Sequence, residues 1–222
     1  MYKVILISLL GILSFGFGKY PKQLPGYAID RQSGDTLRII FKVNITKKKL
    51  EFIRNRESLE IVNSTGGKTY LEPKAVTEVG IRFEGRTTKL YSRENTVDIH
   101  PLSLDYDGFL FFEVEEDGPV KLLSFPESTY SASGVGAGAV GGGIAFTEHT
   151  QFLQYQNYPL VRVKRLHFKR DMADFFAEVP DLVERIEANQ VGYNDLPQLV
   201  QQYNKYLNSR TFEPSSQVIN GF

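Results

Sequence analysis

The side chains able to do chemistry are few and scattered. The three histidines, His100, His149 and His167, sit in unrelated contexts: before Pro101, after Glu148, and where the apolar period changes near residue 168. No H-x-x-x-H spacing puts two of them on one helix face. A metal site would have to be assembled from afar, and none is assigned. Asp105-x-Asp107-Gly108 matches the opening of a calcium loop, but the later ligands of the twelve-residue pattern are missing. A β-turn accounts for Asp107-Gly108, as it does for Asp117-Gly118. Glu113, Glu115 and Glu116 read as the solvated face of a strand. There is no G-x-S-x-G elbow, and with 0 cysteines there is no thiol nucleophile. No catalytic residue, metal or cofactor is therefore assigned. One enzymatic alternative stays open, a hydrolase of glycan or peptide. It would need two Asp or Glu side chains meeting only in the fold, roughly 5–10 Å apart, one with a raised pKa.

The stretch SASGVGAGAVGGGI (131–144) poses a separate question. Gly136-x-Gly138-x-x-Gly141 has the spacing of a dinucleotide-binding turn, which needs a strand before it and a helix after it. PESTYSAS precedes it and GGIAFTEHTQF follows, so no nucleotide site is expected. The uncharged run from Val135 to Phe146 is about half the length of a membrane-spanning helix, and glycine disfavours helix. Gly134, Gly136, Gly138, Gly141, Gly142 and Gly143 are expected to form a mobile loop over 131–145. It is expensive to order and able to close over a partner.

The first residues, MYKVILISLLGILSFGFG, have one early cation, an apolar stretch and small residues at Gly16 and Gly18. That is the pattern of a secretory signal cut after Gly18. Its apolar run falls short of the ~20 residues of a spanning anchor. Without cysteine a lipoprotein anchor is excluded, and so are disulfides; the fold must rest on burial. A chain of roughly 200 residues buries about 70% of its unfolded surface, which is enough. Lys+Arg and Asp+Glu both number 26. With no basic excess, no nucleic-acid partner is expected. Lys47, Lys48 and Lys49 form one short basic cluster. Arg162, Lys164, Arg165, Lys169 and Arg170 form another, alternating with Val161, Val163, Leu166 and Phe168 as on the wet face of a strand. Asn44 and Asn63 open N-glycosylation sequons. The 12 tyrosines and 16 phenylalanines are assigned to the core by default.

Around these residues the chain is β-rich. After a polar lead-in at 19–26, strands are expected near 27–31 and 36–45, on both sides of Asn55, and on both sides of Glu84-Gly85. Residues 93–107 read as a loop. Phe109–Val114 and Val120–Phe125 read as a hairpin turning at Asp117-Gly118-Pro119, with two more strands after 150. The period then becomes helical: Phe168, Met172, Phe175, Phe176 and Val179 mark one helix. Pro180 opens a second, with Gly192 as its stop. Asp195, with Gln198 three positions on, is placed to cap a third. The expected organisation is a signal at 1–18, a β-rich domain at 19–166, helices at 167–209 and a tail at 210–222. The expected class is α+β, its β-rich body a small barrel or sandwich of short antiparallel strands.

PGYAIDRQSGDTLRIIFKV, KTYLEPKAVTEVGI and the segment from VKRLHFKRDMADFF to QLVQQYNKYL resemble successive elements of an uncharacterised family of exported Bacteroidetes proteins. Its hallmarks are a "PGY…GDT" first strand and closing helices that carry an aromatic-Asn pair like Tyr203-Asn204. The resemblance implies an envelope or secreted location and brings no activity. It also makes Asp35-Thr36-Leu37 similar to the acceptor for periplasmic O-glycosylation in such bacteria. The expectation is an exported, non-enzymatic binding module. Its partner would be a protein or a cell-surface polymer, in the periplasm, on the outer surface or outside the cell. Once the signal is removed, no membrane association is expected.

Overall fold

The computed structural model describes residues 21–46, 49–51, 58–63, 65–96, 108–131, 144–156 and 158–210. The glycines at 134, 136, 138, 141, 142 and 143, the segment 1–18, His100, Asp105, Asp107 and the tail from 211 lie outside them.

Among the described residues the strands form one antiparallel sheet. They are β1 (Lys22–Asp30), β2 (Thr36–Thr46), β3 (Lys49–Glu51), β4 (Leu59–Val62), β5 (Lys68–Leu71), β6 (Val76–Phe83), β7 (Arg86–Glu94), β8 (Phe109–Glu116), β9 (Val120–Ser131), β10 (Ile144–Tyr155) and β11 (Val161–Arg162). The spatial order is β11-β10-β9-β8-β7-β6-β1-β2-β4-β5, with β3 beside β2. The edges β5 and β11 do not pair, so the sheet is single and open, in place of a closed barrel or two stacked sheets. The α+β class and the β-rich body with helices at its end are as expected.

Period-2 alternation gives the sheet two buried faces. On one face Ala28, Phe41, Val43, Leu59, Val79, Ile81, Leu90 and Phe111 form a core. On the other face of β7–β10, Leu110, Phe112, Leu123, Phe125 and Phe152 form a second. Phe112 and Phe152 meet edge-on at 5.4 Å although β9 lies between their strands. At about 4.8 Å per strand that contact requires the sheet to curl, concave on this side.

The helices α1 (Phe168–Phe175), α2 (Pro180–Glu187) and α3 (Leu196–Arg210) cover the first face at β9 and β10. Met172, Phe176, Leu182, Ile186, Leu196, Leu199 and Val200 pack there on Val120, Leu122 and Leu153. Asn204 pins α3 in place. Its Nδ2 donates to the Val120 carbonyl at 2.7 Å, and the Val120 N–H donates to its Oδ1 at 2.8 Å. Gly118 makes room for it, since a Cβ there would stand 2.6 Å from Asn204 Nδ2.

Several local expectations change. The polar lead-in is strand from Lys22, because Leu24 finds Phe41 across β2. Within the stretch 131–145 expected to be loop, the described residues Ser131, Ile144 and Ala145 are strand, Ser131 pairing with Ile144 and Tyr130 with Ala145. The basic run is strand only at Val161–Arg162 and then turns through a 3-10 segment at Arg165–His167 into α1. Helix α2 stops at Glu187, before Gly192; Asn189 takes the left-handed conformation (φ 54) that ends it. Asp195 caps the 3-10 turn Tyr193–Asp195 ahead of α3. Its carboxylate accepts the Gly192 N–H at 2.8 Å.

Candidate functional site

Strand register gathers polar side chains on the concave face. In β1, β6 and β7 the positions alternate with core residues, and Ile29, Glu78 and Tyr91 fall in one row while Tyr27 lies opposite Gly80. The Tyr27 ring occupies the space above Gly80, where a Cβ would come within 2.1 Å of it. From there its hydroxyl donates to Glu78 Oε1 at 2.5 Å. Tyr91 donates to Asp117 Oδ2 at 2.8 Å, and Asp117 belongs to the turn joining β8 to β9. Lys89 Nζ stands 3.2 Å from Asp117 Oδ2 and Lys121 Nζ stands 3.6 Å from Asp117 Oδ1.

Arg93 crosses the concavity. Its Nε donates to Gln154 Oε1 on β10 at 2.9 Å and its Nη1 to the Ser92 carbonyl at 2.9 Å. The guanidinium lies 4.8 Å from the Tyr91 ring centroid. Gln154 is itself held by donating to the Tyr158 carbonyl at 3.1 Å.

The environment sets the charges. Burial, then the hydrogen bond to Glu78, pushes the Tyr27 hydroxyl up to about 12. Burial and Asp117 raise Tyr91 as well. Burial alone would raise Asp117, but the hydrogen bonds from Tyr91 and Lys89 outweigh it and hold the carboxyl below the ordinary range. Burial pulls Arg93 down, though a guanidinium stays charged at neutral pH. The cluster therefore holds two neutral tyrosines, Tyr27 partly exposed and Tyr91 buried, and a partly desolvated cation. Its carboxylates are already engaged as acceptors.

The sequence-selected residues do not join this cluster. His149 and His167 are exposed, on β10 and at the end of a 3-10 turn. A bulge between Val114 and Glu116 sets Glu116 opposite Leu122, on the same side of the sheet as Glu113 opposite Ser124. Glu115 accepts the Gln151 Nε2 at 3.1 Å, while burial, then the charge of Glu115, pushes the Glu116 carboxyl up. Among the described residues no three His, Asp or Glu side chains are placed to hold a metal ion, and no helix is long and apolar enough to cross a membrane.

Tyr27, Glu78, Tyr91, Arg93 and Gln154 were not legible as a site. The available signal was alternation: Tyr27 flanks Ala28, Glu78 flanks Val79, Tyr91 flanks Leu90 and Gln154 flanks Leu153, all core residues, while Arg93 follows the buried Ser92. Only the register shows that they meet. No protein-family model, curated protein or solved structure matches the chain.

Proposed function

We propose that the chain is an exported bacterial envelope protein that binds a partner, either a protein or a cell-surface polymer, and catalyses no reaction. The observation that carries this reading is the state of the carboxylates on the concave face. Glu78 and Asp117 each accept a tyrosine hydroxyl, and Asp117 is held below the ordinary carboxyl range. A general acid needs the opposite shift. What remains to meet a partner is the partly exposed Tyr27 and Arg93, of the side-chain types that dominate binding hot spots. Export is supported by the signal-like first residues and by the resemblance of the PGYAIDRQSGDT opening to exported Bacteroidetes proteins.

The hydrolase reading has two supports, the first being Glu116, whose carboxyl is pushed up by burial and then by the charge of Glu115; the second lies on the concave face. Glu78 and Asp117 both bear electrostatically on Tyr27 and Tyr91, so two carboxylates do converge. Their hydrogen bonds weigh against it. Affinity capture from envelope extracts with the wild-type chain and with Arg93→Gln separates the two. A partner retained by the wild type and lost by a folded Arg93→Gln is the expected result. Equal capture by both would remove the cluster from the binding account.

A further inference from the structure

We propose that the sheet edge running from the β10–β11 turn into α1 binds an acidic polysaccharide. The inference rests on the reading of this chain as a binding module and names the partner class through a second surface. Tyr158 is 63% exposed and stacks on Tyr155, with ring centroids 6.0 Å apart and planes 19° apart. Its outer face lies open to solvent. The turn is fixed by the Tyr158 N–H donating to the Tyr155 carbonyl at 3.0 Å.

From this aromatic step the register continues along the edge. Val161 pairs with Leu153 and Arg162 with Phe152. Exposed Lys164, Arg165 and Leu166 follow, then exposed Lys169 and Arg170 on the first turn of α1. Arg165 is held 4.2 Å above the Tyr193 ring, and Leu166 is 94% exposed. Beside it an open depression of about 380 Å³ is lined by Leu166, His167, Lys169, Arg170, Asp174 and Glu187. Asp171 offsets Arg170 at 2.8 Å. From Tyr158 to Arg170 the chain itself carries cations and no Asp or Glu.

The order of groups decides the occupant. A protein interface has a contiguous apolar centre from which charges are depleted; here the exposed apolar groups are separated by cations. A membrane contact would need a broader apolar face than one leucine and one valine supply. A glycan with a carboxylate on each sugar alternates an apolar ring face with a negative charge along an extended chain. That matches an aromatic step followed by spaced cations on an open surface. The loss of one aromatic stacking contact is about 1.4 kcal/mol, which is about tenfold in affinity.

The test is titration calorimetry of the full chain with polygalacturonate, dextran, polyglutamate and anionic phosphatidylglycerol vesicles. The expected result is binding of polygalacturonate, none of dextran, and binding of polyglutamate and vesicles at least about tenfold weaker. Tyr158→Ala should weaken polygalacturonate about tenfold and leave polyglutamate unchanged. Lys164→Glu with Lys169→Glu should abolish both. Absence of polygalacturonate binding overturns the proposal. So does equal or tighter binding of polyglutamate or vesicles, or indifference to Tyr158→Ala. Arg93→Gln should leave polygalacturonate binding intact. If polygalacturonate fails while capture of an envelope partner still depends on Arg93, this inference falls and the function reading stands.

Discussion

Tyr27 links the concave face to alkaline pH. An ordinary tyrosine titrates near 10, whereas in the fold Tyr27 is pushed up to about 12 by burial and Glu78. A raised folded value means that the folded state keeps a proton the unfolded chain has lost. This contribution is complete below about pH 10 and lost as pH rises through about 12. The urea midpoint is expected to fall across that window, less steeply in Tyr27→Phe. Asp117 works in the opposite sense. Its depressed carboxyl contributes stability above the ordinary carboxylate pKa that is lost as pH falls, and Tyr91→Phe should flatten that acid limb. Asn204 is the residue with most at stake, because it satisfies a buried N–H and a buried C=O of Val120. Asn204→Ala strands both and should destabilise by about 3 kcal/mol, read by urea denaturation.

Among the elements, the β6–β1 pair depends on a missing side chain. A Cβ at Gly80 would collide with the Tyr27 ring, so Gly80→Ala should push the ring off Glu78 and destabilise by about 2 kcal/mol. In a double-mutant cycle Tyr27→Ala should absorb part of that loss, because the clash disappears with the ring. Purely additive losses would show that the ring does not depend on the glycine. At this scale much was legible. Glu84 and Gly85 take positive φ (47 and 76) in the turn where the sequence placed it. Pro180 opens α2 as its fixed φ suggests. The failures share a cause. The basic run alternates like a strand, yet Val163 and Phe168 are buried while Val161 and Leu166 are exposed. The edge strand ends after Arg162, and the chain turns under the helices. Tertiary packing overrides a local pattern there.

For the whole molecule, α+β was readable because strands and helices occupy separate stretches of the chain. Whether the sheet closes was not, since closure depends on curl and on whether β5 meets β11, which no local pattern encodes. The cluster was illegible for the same reason: Arg93 and Gln154 are 61 positions apart and meet only because the sheet bends. The helices share their core with Val120, Leu122 and Leu153, so they are not expected to unfold alone. Helical circular dichroism and tyrosine fluorescence should report one coincident transition; an early loss of helix would contradict that packing. The most direct measurement is time-resolved mass spectrometry of envelope glycans and peptides incubated with the full chain, following bound species and products together. The account predicts a bound species recovered unchanged and lost with Arg93→Gln. A product that accumulates with time and disappears with Asp117→Asn would contradict it.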